Sequence, residues 1–140
     1  MIKFKLKGHK NSFLEIRPIY KDYRYGLSLR LVMKRPGKTY FDSSSEYFWP
    51  GIDDVMDSIR RYIMVGNITI PSKPGMSGIR FSMRYINDDI SEFSVSGRTD
   101  SDNAEYKLTI PTLEANKFFL KLGSDFQKFV KILRYKRNKN

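Results

Sequence analysis

The chain of 140 residues contains no cysteine, one histidine and one tryptophan. Without thiols it can form no disulfide, no thiolate metal site and no cysteine nucleophile, and such a composition suits a reducing cytoplasm. Zinc sites are built from imidazole and thiolate, and a lone His9 supplies neither in the number needed. Nucleophilic catalysis by a hydroxyl needs a base within hydrogen-bond reach, yet His9 sits in a lysine-rich turn and reads as a turn residue. No two carboxylates are placed by the pattern in one apolar cleft, so paired acid-base chemistry has no candidates. The run Asp100-Ser101-Asp102-Asn103 clusters oxygens as a calcium loop does, but it lacks the glycine and closing glutamate of an EF-hand and reads as a hairpin tip. These absences point to a protein that is not an enzyme and holds no cofactor or metal.

Long apolar runs are missing too. No window approaches the roughly 18 apolar residues of a membrane span. The N-terminus sets Ile2, Phe4 and Leu6 against Lys3, Lys5 and Lys7, an alternation foreign to a signal peptide. The expectation is a soluble, cytoplasmic protein with no membrane partner.

Negative charge is scarce and unevenly spread. Lys and Arg number 26 against 15 Asp and Glu, a formal charge of +11. Residues 1–38 hold 11 basic and 2 acidic groups, residues 39–110 hold 7 and 11, and residues 111–140 hold 8 and 2. A chain that is basic at both ends attracts polyanions or an acidic protein face and speeds encounter with either.

What is present is a folding pattern. With 40% hydrophobic and 14% aromatic residues, the chain can bury the core of a single domain over residues 1–134, leaving 135–140 as a basic, fraying tail. Residues 111–136 carry the clearest period. Leu113, Ala115, Phe118, Phe119, Leu122, Phe126, Phe129, Val130 and Leu133 recur at three and four, with Lys117, Lys121, Lys128 and Lys131 on the opposite arc, which predicts a long amphipathic helix. A second helix starts near Ile52, with Val55, Met56, Ile59 and Ile63 on its apolar stripe, Asp53, Asp54 and Asp57 near its start, and Gly66-Asn67 at its end.

The remainder alternates as strands do. Leu14 and Ile16 point one way against Glu15 and Arg17. Residues 20–24 read as a loop. Tyr25, Leu27, Leu29, Leu31 and Met33 then share a face opposite Ser28, Arg30 and Lys34. Pro36-Gly37 is a turn signal returning the chain through residues 39–48. After the first helix come a short strand at Ile68 and Ile70, a Pro-rich loop at 71–75, and strands with Ile79, Phe81, Met83 and Tyr85, Phe93 and Val95, and Ala104, Tyr106, Leu108 and Ile110 inward. The two halves echo each other weakly: strands, a Gly turn, an aromatic strand, a proline and a helix occur twice.

The expected fold class is therefore α+β: an antiparallel sheet of about six to eight strands, with both helices on one face, in the order β-rich block, helix, β-rich block, long helix. The open face would then carry Lys3, Lys5, Lys7, Arg17, Arg30, Arg80, Arg84 and Lys107. It would attract phosphates but, with Glu15, Glu92 and Glu105 interspersed and no aromatic platform, would bind nucleic acid only weakly and without sequence preference. Aromatics gather instead in irregular stretches. Tyr20, Tyr23 and Tyr47, with Arg24, have the chemistry of protein-interface anchors.

The succession Ser12-Phe13-Leu14-Glu15-Ile16, then Tyr20 and Asp22, the strand at 27–31, an amphipathic helix and a second antiparallel block resembles small bacterial immunity proteins of the WapI-like kind. The resemblance spans residues 12–122. It implies a protein that neutralises a toxin by occluding its surface, without chemistry of its own. A basic inhibitor implies an acidic face on its target. The sequence thus favours a protein-binding module of immunity or inhibitor type, with Tyr20, Tyr23, Arg24, Tyr47, Arg30, Arg80 and Arg84 as contact residues. Nucleic-acid binding through the open sheet face and the basic tail is the alternative.

Overall fold

The computed structural model describes residues 1–35, 38–71 and 78–138. Four strands, β1 (Ile2–Lys5), β2 (Phe13–Lys21), β3 (Arg24–Arg35) and β4 (Lys38–Trp49), are followed by α1 (Ile52–Val65). Four more, β5 (Asn67–Ile70), β6 (Gly78–Tyr85), β7 (Ile90–Arg98) and β8 (Asn103–Pro111), lead into α2 (Thr112–Asn138). The fold is α+β and its strands are antiparallel, as the alternation predicts. The single sheet is not what forms: the eight strands divide into two four-stranded meanders, β1-β2-β3-β4 and β5-β6-β7-β8. The echo between the halves is a repeat of element order, four strands and a helix, twice.

The division has a physical reason. Each meander has one apolar face, and the two faces meet each other as well as the helices. Phe4 of β1 lies 4.4 Å from Phe93 of β7 between ring centroids, and Phe118 of α2 stands edge-on to both Phe4 and Phe81. Phe41 of β4 packs directly over Gly97 of β7, where an added Cβ would come within 2.5 Å of its ring. Polar contacts fix the same junction. Tyr47 donates its hydroxyl proton to the Ile79 carbonyl, and the Ile79 amide donates to Ser45 Oγ at 2.8 Å. Burying rings such as Phe81, Phe93, Phe119 and Phe126 stabilises the fold by about 1.5–3 kcal/mol each.

Both helices follow their apolar stripes, with two corrections. On α1 the inward residue of the last turn is Tyr62, 2% exposed, whereas Ile63 is 51% exposed. Tyr62 stacks on Phe119 and bonds to Ser91 Oγ, so a ring with a polar tip outcompetes an aliphatic side chain for that position. On α2, Leu113 is 64% exposed at the helix start, where the inward positions are filled by Thr112 and Ala115. Gly66 ends α1 in the left-handed region at φ 72, its amide bonded to the Tyr62 carbonyl.

Two boundaries also differ. The expected loop at 20–24 is a two-residue hairpin: Asp22 and Tyr23 both take positive φ, 52 and 61, which matches the twist of the flanking strands. Residues 135–138, expected in the basic tail, belong to α2, with Arg137 bonded to the Tyr20 hydroxyl. The turn signal Pro36-Gly37, residues 72–75 of the Pro-rich loop and residues 139–140 of the tail lie outside the described residues.

Candidate nucleic-acid interface

Strand register decides which side chains share the outer face of the first sheet. Lys5, Phe13, Val32 and Asp42 stand in one row across the four strands, and Lys3, Glu15, Arg30 and Ser44 in the next. Arg17, Ser28 and Glu46 follow, then Ile19, Gly26 and Phe48. Alternation turns all of these away from the core that Leu14, Ile16, Leu27, Leu29 and Leu31 build.

This face bears two aromatic rings, which corrects the expectation that it would have none. Phe13 is half-buried and stands outside the hydrophobic core. The Lys3 ammonium lies 4.2 Å from its centroid and the Arg30 guanidinium 5.9 Å. Phe48 lies across Gly26, where a Cβ would approach its ring to 2.9 Å, and Arg24 sits 5.0 Å from its centroid. Six residues of β3 separate the two ring positions, so at about 3.3 Å per residue the platforms are roughly 20 Å apart along the strand.

The acids on the face are largely engaged. Arg30 donates to both oxygens of Asp42, at 3.0 and 2.9 Å, and Glu15 pairs with Arg17 at 3.3 Å. The Arg30 hydrogen bond holds the Asp42 carboxyl below its ordinary value, and the reciprocal bond to Asp42 raises Arg30. Lys3 and Lys5 have no carboxylate partner among the described residues. The surface is thus a cationic sheet with two rings set into it.

The expected contact residues do not converge. Arg30 and Arg24 belong to this face, and Tyr23 stands at the adjoining hairpin tip, 86% exposed. Tyr20 points to the inner side, where it packs on Tyr25 at 4.8 Å and carries the Arg137 guanidinium 4.7 Å from its centroid. Tyr47 also faces inward, partly buried, and its hydroxyl is held by the Ile79 carbonyl, so it joins the two sheets. Arg80 and Arg84 lie on the outer face of the second sheet, with Arg84 3.6 Å from Glu92. That face is lined by Thr69, Ser82, Ser94 and Ser96 beside Arg80, Glu105 and Lys107, around a hollow of about 300 Å³. Among its described outward residues none is aromatic.

Phe13 and Phe48 are the residues that sequence reasoning passed over. The signal for Phe13 was available: once Leu14 and Ile16 point inward, alternation turns Phe13 outward with Glu15 and Arg17. No helix among the described residues is long and apolar enough to cross a membrane. Comparison of the chain with protein-family models, with curated proteins and with solved structures finds no match.

Proposed function

We propose that the protein binds single-stranded nucleic acid along the outer face of its first sheet, without regard to sequence. The observation that carries this reading is the pairing of half-buried rings on the outer face with cations, Phe13 with Lys3 and Arg30 and Phe48 with Arg24. Each base has a π-face that a ring can stack against, worth about 1–3 kcal/mol per base, and each phosphate needs a nearby cation. A solvent-exposed cation resting on a ring is worth only about 0.5–1 kcal/mol, so an arriving base displaces it and the freed charge turns to the phosphate. Bases paired inside a duplex cannot reach a flat sheet. An anisotropy titration with a labelled single strand and the same sequence as a duplex, at about 150 mM salt, tests the reading. Preference for the single strand supports it, and equal or stronger duplex binding refutes it.

A second reading keeps the same end of the sheet but gives it a protein partner with an acidic face, as the likeness to WapI-like immunity proteins implies. Tyr23 favours it. A tyrosine 86% exposed and fixed in a tight hairpin next to Arg24 has the character of an interface anchor. Co-purification of one discrete acidic protein, lost on Tyr23→Ala, would support it. The absence of any such protein from cells in which nucleic acid co-purifies would count against it.

A further inference from the structure

The turn between β1 and β2 forms one wall of a cleft whose chemistry differs from the sheet beside it. Two adjoining hollows, of about 540 and 760 Å³, share Gly8, His9, Lys10, Asn11 and Lys34. Lys3, Lys5, Lys7, Lys10, Lys34, Arg35 and Lys38 line them, with Phe13 at the edge shared with the sheet, and among the described residues no carboxylate does. Among the described residues only Lys7 of these seven has an acidic partner, Glu114 at 3.5 Å on an exposed surface. On the sheet, by contrast, Arg30 and Arg17 stand opposite acids.

So many like charges repel one another, and an unstructured loop would let them drift apart. This loop is held. Its ends are joined by the Leu6 amide to the Ser12 carbonyl at 3.0 Å, and its interior by His9 to Leu6 and Ser12 to His9. The buried Ser12 accepts the Lys34 amide at 2.8 Å, which ties the loop to β3. Tyr106 donates its hydroxyl proton to the Lys7 carbonyl, and its ring meets His9 edge-on at 5.2 Å, which ties the loop to the second sheet. Gly8 and Asn11 supply the positive φ, 83 and 61, that folds the chain back.

We propose that this cleft is a binding site for a compact polyphosphate group. Its volume suits a group of that size, its cations are concentrated without competing acids, and its backbone is fixed before any ligand arrives. Extended backbones meet isolated cations spaced along a face, whereas a triphosphate presents several charges at one point. The chemistry is common to a free polyphosphate and to the triphosphorylated end of a strand. The cleft borders the sheet through Lys3 and Phe13 but is built on the turn and on Lys10, Lys34, Arg35 and Lys38, and the second source alone rests on the neighbouring sheet as a strand-binding face.

Calorimetric titration of the full chain with inorganic tripolyphosphate at about 150 mM salt tests the site. A saturable, one-site isotherm is expected, weakened at least about tenfold in Lys10→Gln/Lys38→Gln and unchanged in Arg80→Gln/Arg84→Gln. Thermal melting of both variants should match the parent. Weak binding without saturation, or equal loss in both variants, overturns the proposal. A 5′-triphosphorylated RNA against its 5′-hydroxyl counterpart separates the sources. Tighter binding of the former, abolished in the lysine variant, assigns a strand end, and equal binding with tripolyphosphate retained assigns a free polyphosphate. Tripolyphosphate binding by the parent, while Phe48→Ala, which lies outside the cleft, leaves single-strand affinity untouched, would reject the strand reading and keep the cleft. Loss of the strand in that variant with no tripolyphosphate binding would do the reverse.

Discussion

Lys3 rests its ammonium 4.2 Å from the centroid of Phe13, on a sheet face where neither side chain has a place in the core. A ring that size left outside the core contributes little to stability and much to contact area. Phe13→Ala should therefore change the melting temperature by only a few degrees, corresponding to less than about 1 kcal/mol, while weakening single-strand binding by about 1–3 kcal/mol. Calorimetric melting and anisotropy on the same preparation check both halves.

Charge reversal should separate the two outer faces. Lys3→Glu and Arg30→Glu remove cations beside a stacking ring, and each should weaken binding and reduce the salt slope by about 1. Arg80→Glu and Arg84→Glu act on a face without described aromatics and should leave the slope nearly unchanged. Titrations at four or five salt concentrations measure this, and equal effects at both faces would point to diffuse attraction instead.

Asp42 restrains Arg30, and its removal should have two opposite effects. Its carboxyl is held below its ordinary value of 3.8, chiefly by the Arg30 hydrogen bond. The stabilisation is therefore fully present above that value and is lost as pH falls through the depressed one. Both side chains are more than two-fifths exposed, 43% and 42%, so the pair is worth no more than about 1 kcal/mol after solvent screening. Asp42→Asn should lower stability by that small amount at neutral pH, lose part of the acid-side pH dependence, and strengthen nucleic-acid binding by freeing a cation. Urea melts from pH 7 to about 3, with a binding curve at pH 7, check the pair of effects.

The sheet-sheet junction offers a test of the architecture. Gly97→Ala places a Cβ against the Phe41 ring, which should destabilise the fold by about 1–3 kcal/mol. Phe41→Leu removes the obstructing edge of the ring, so the double variant should be more stable than the sum of the singles predicts, a positive coupling that only a Phe41 contact with Gly97 explains.

The helices were legible from their apolar periods because a stripe of phenylalanines on α2 admits one orientation, and the ends of α1 because Asp53, Asp54 and Gly66 mark them. Strand faces were legible from alternation for the same reason. The division into two sheets was not. Alternation says which side of Phe4 or Phe93 is buried, but it says nothing of whether the neighbour is a helix or another sheet, and Gly97 discloses its role only when Phe41 is placed over it. That Tyr20 and Tyr47 point to the inner side was not legible either, because a tyrosine's partners, Arg137 for one and Ile79 for the other, come from remote parts of the chain. The cleft beside Lys10 joins residues from β1, the turn and the β3–β4 hairpin, so its density of charge exists only in three dimensions.

Single-strand affinity measured as a function of salt in the parent and in Phe13→Ala/Phe48→Ala tests the central claim most directly. Counterion release makes affinity fall with salt in both proteins, whereas stacking does not depend on salt in that way. The account predicts parallel lines on logarithmic axes, with the variant displaced to about tenfold or more weaker binding at every salt concentration. Superimposed lines would contradict it, because the rings on the outer face would then contribute nothing to binding.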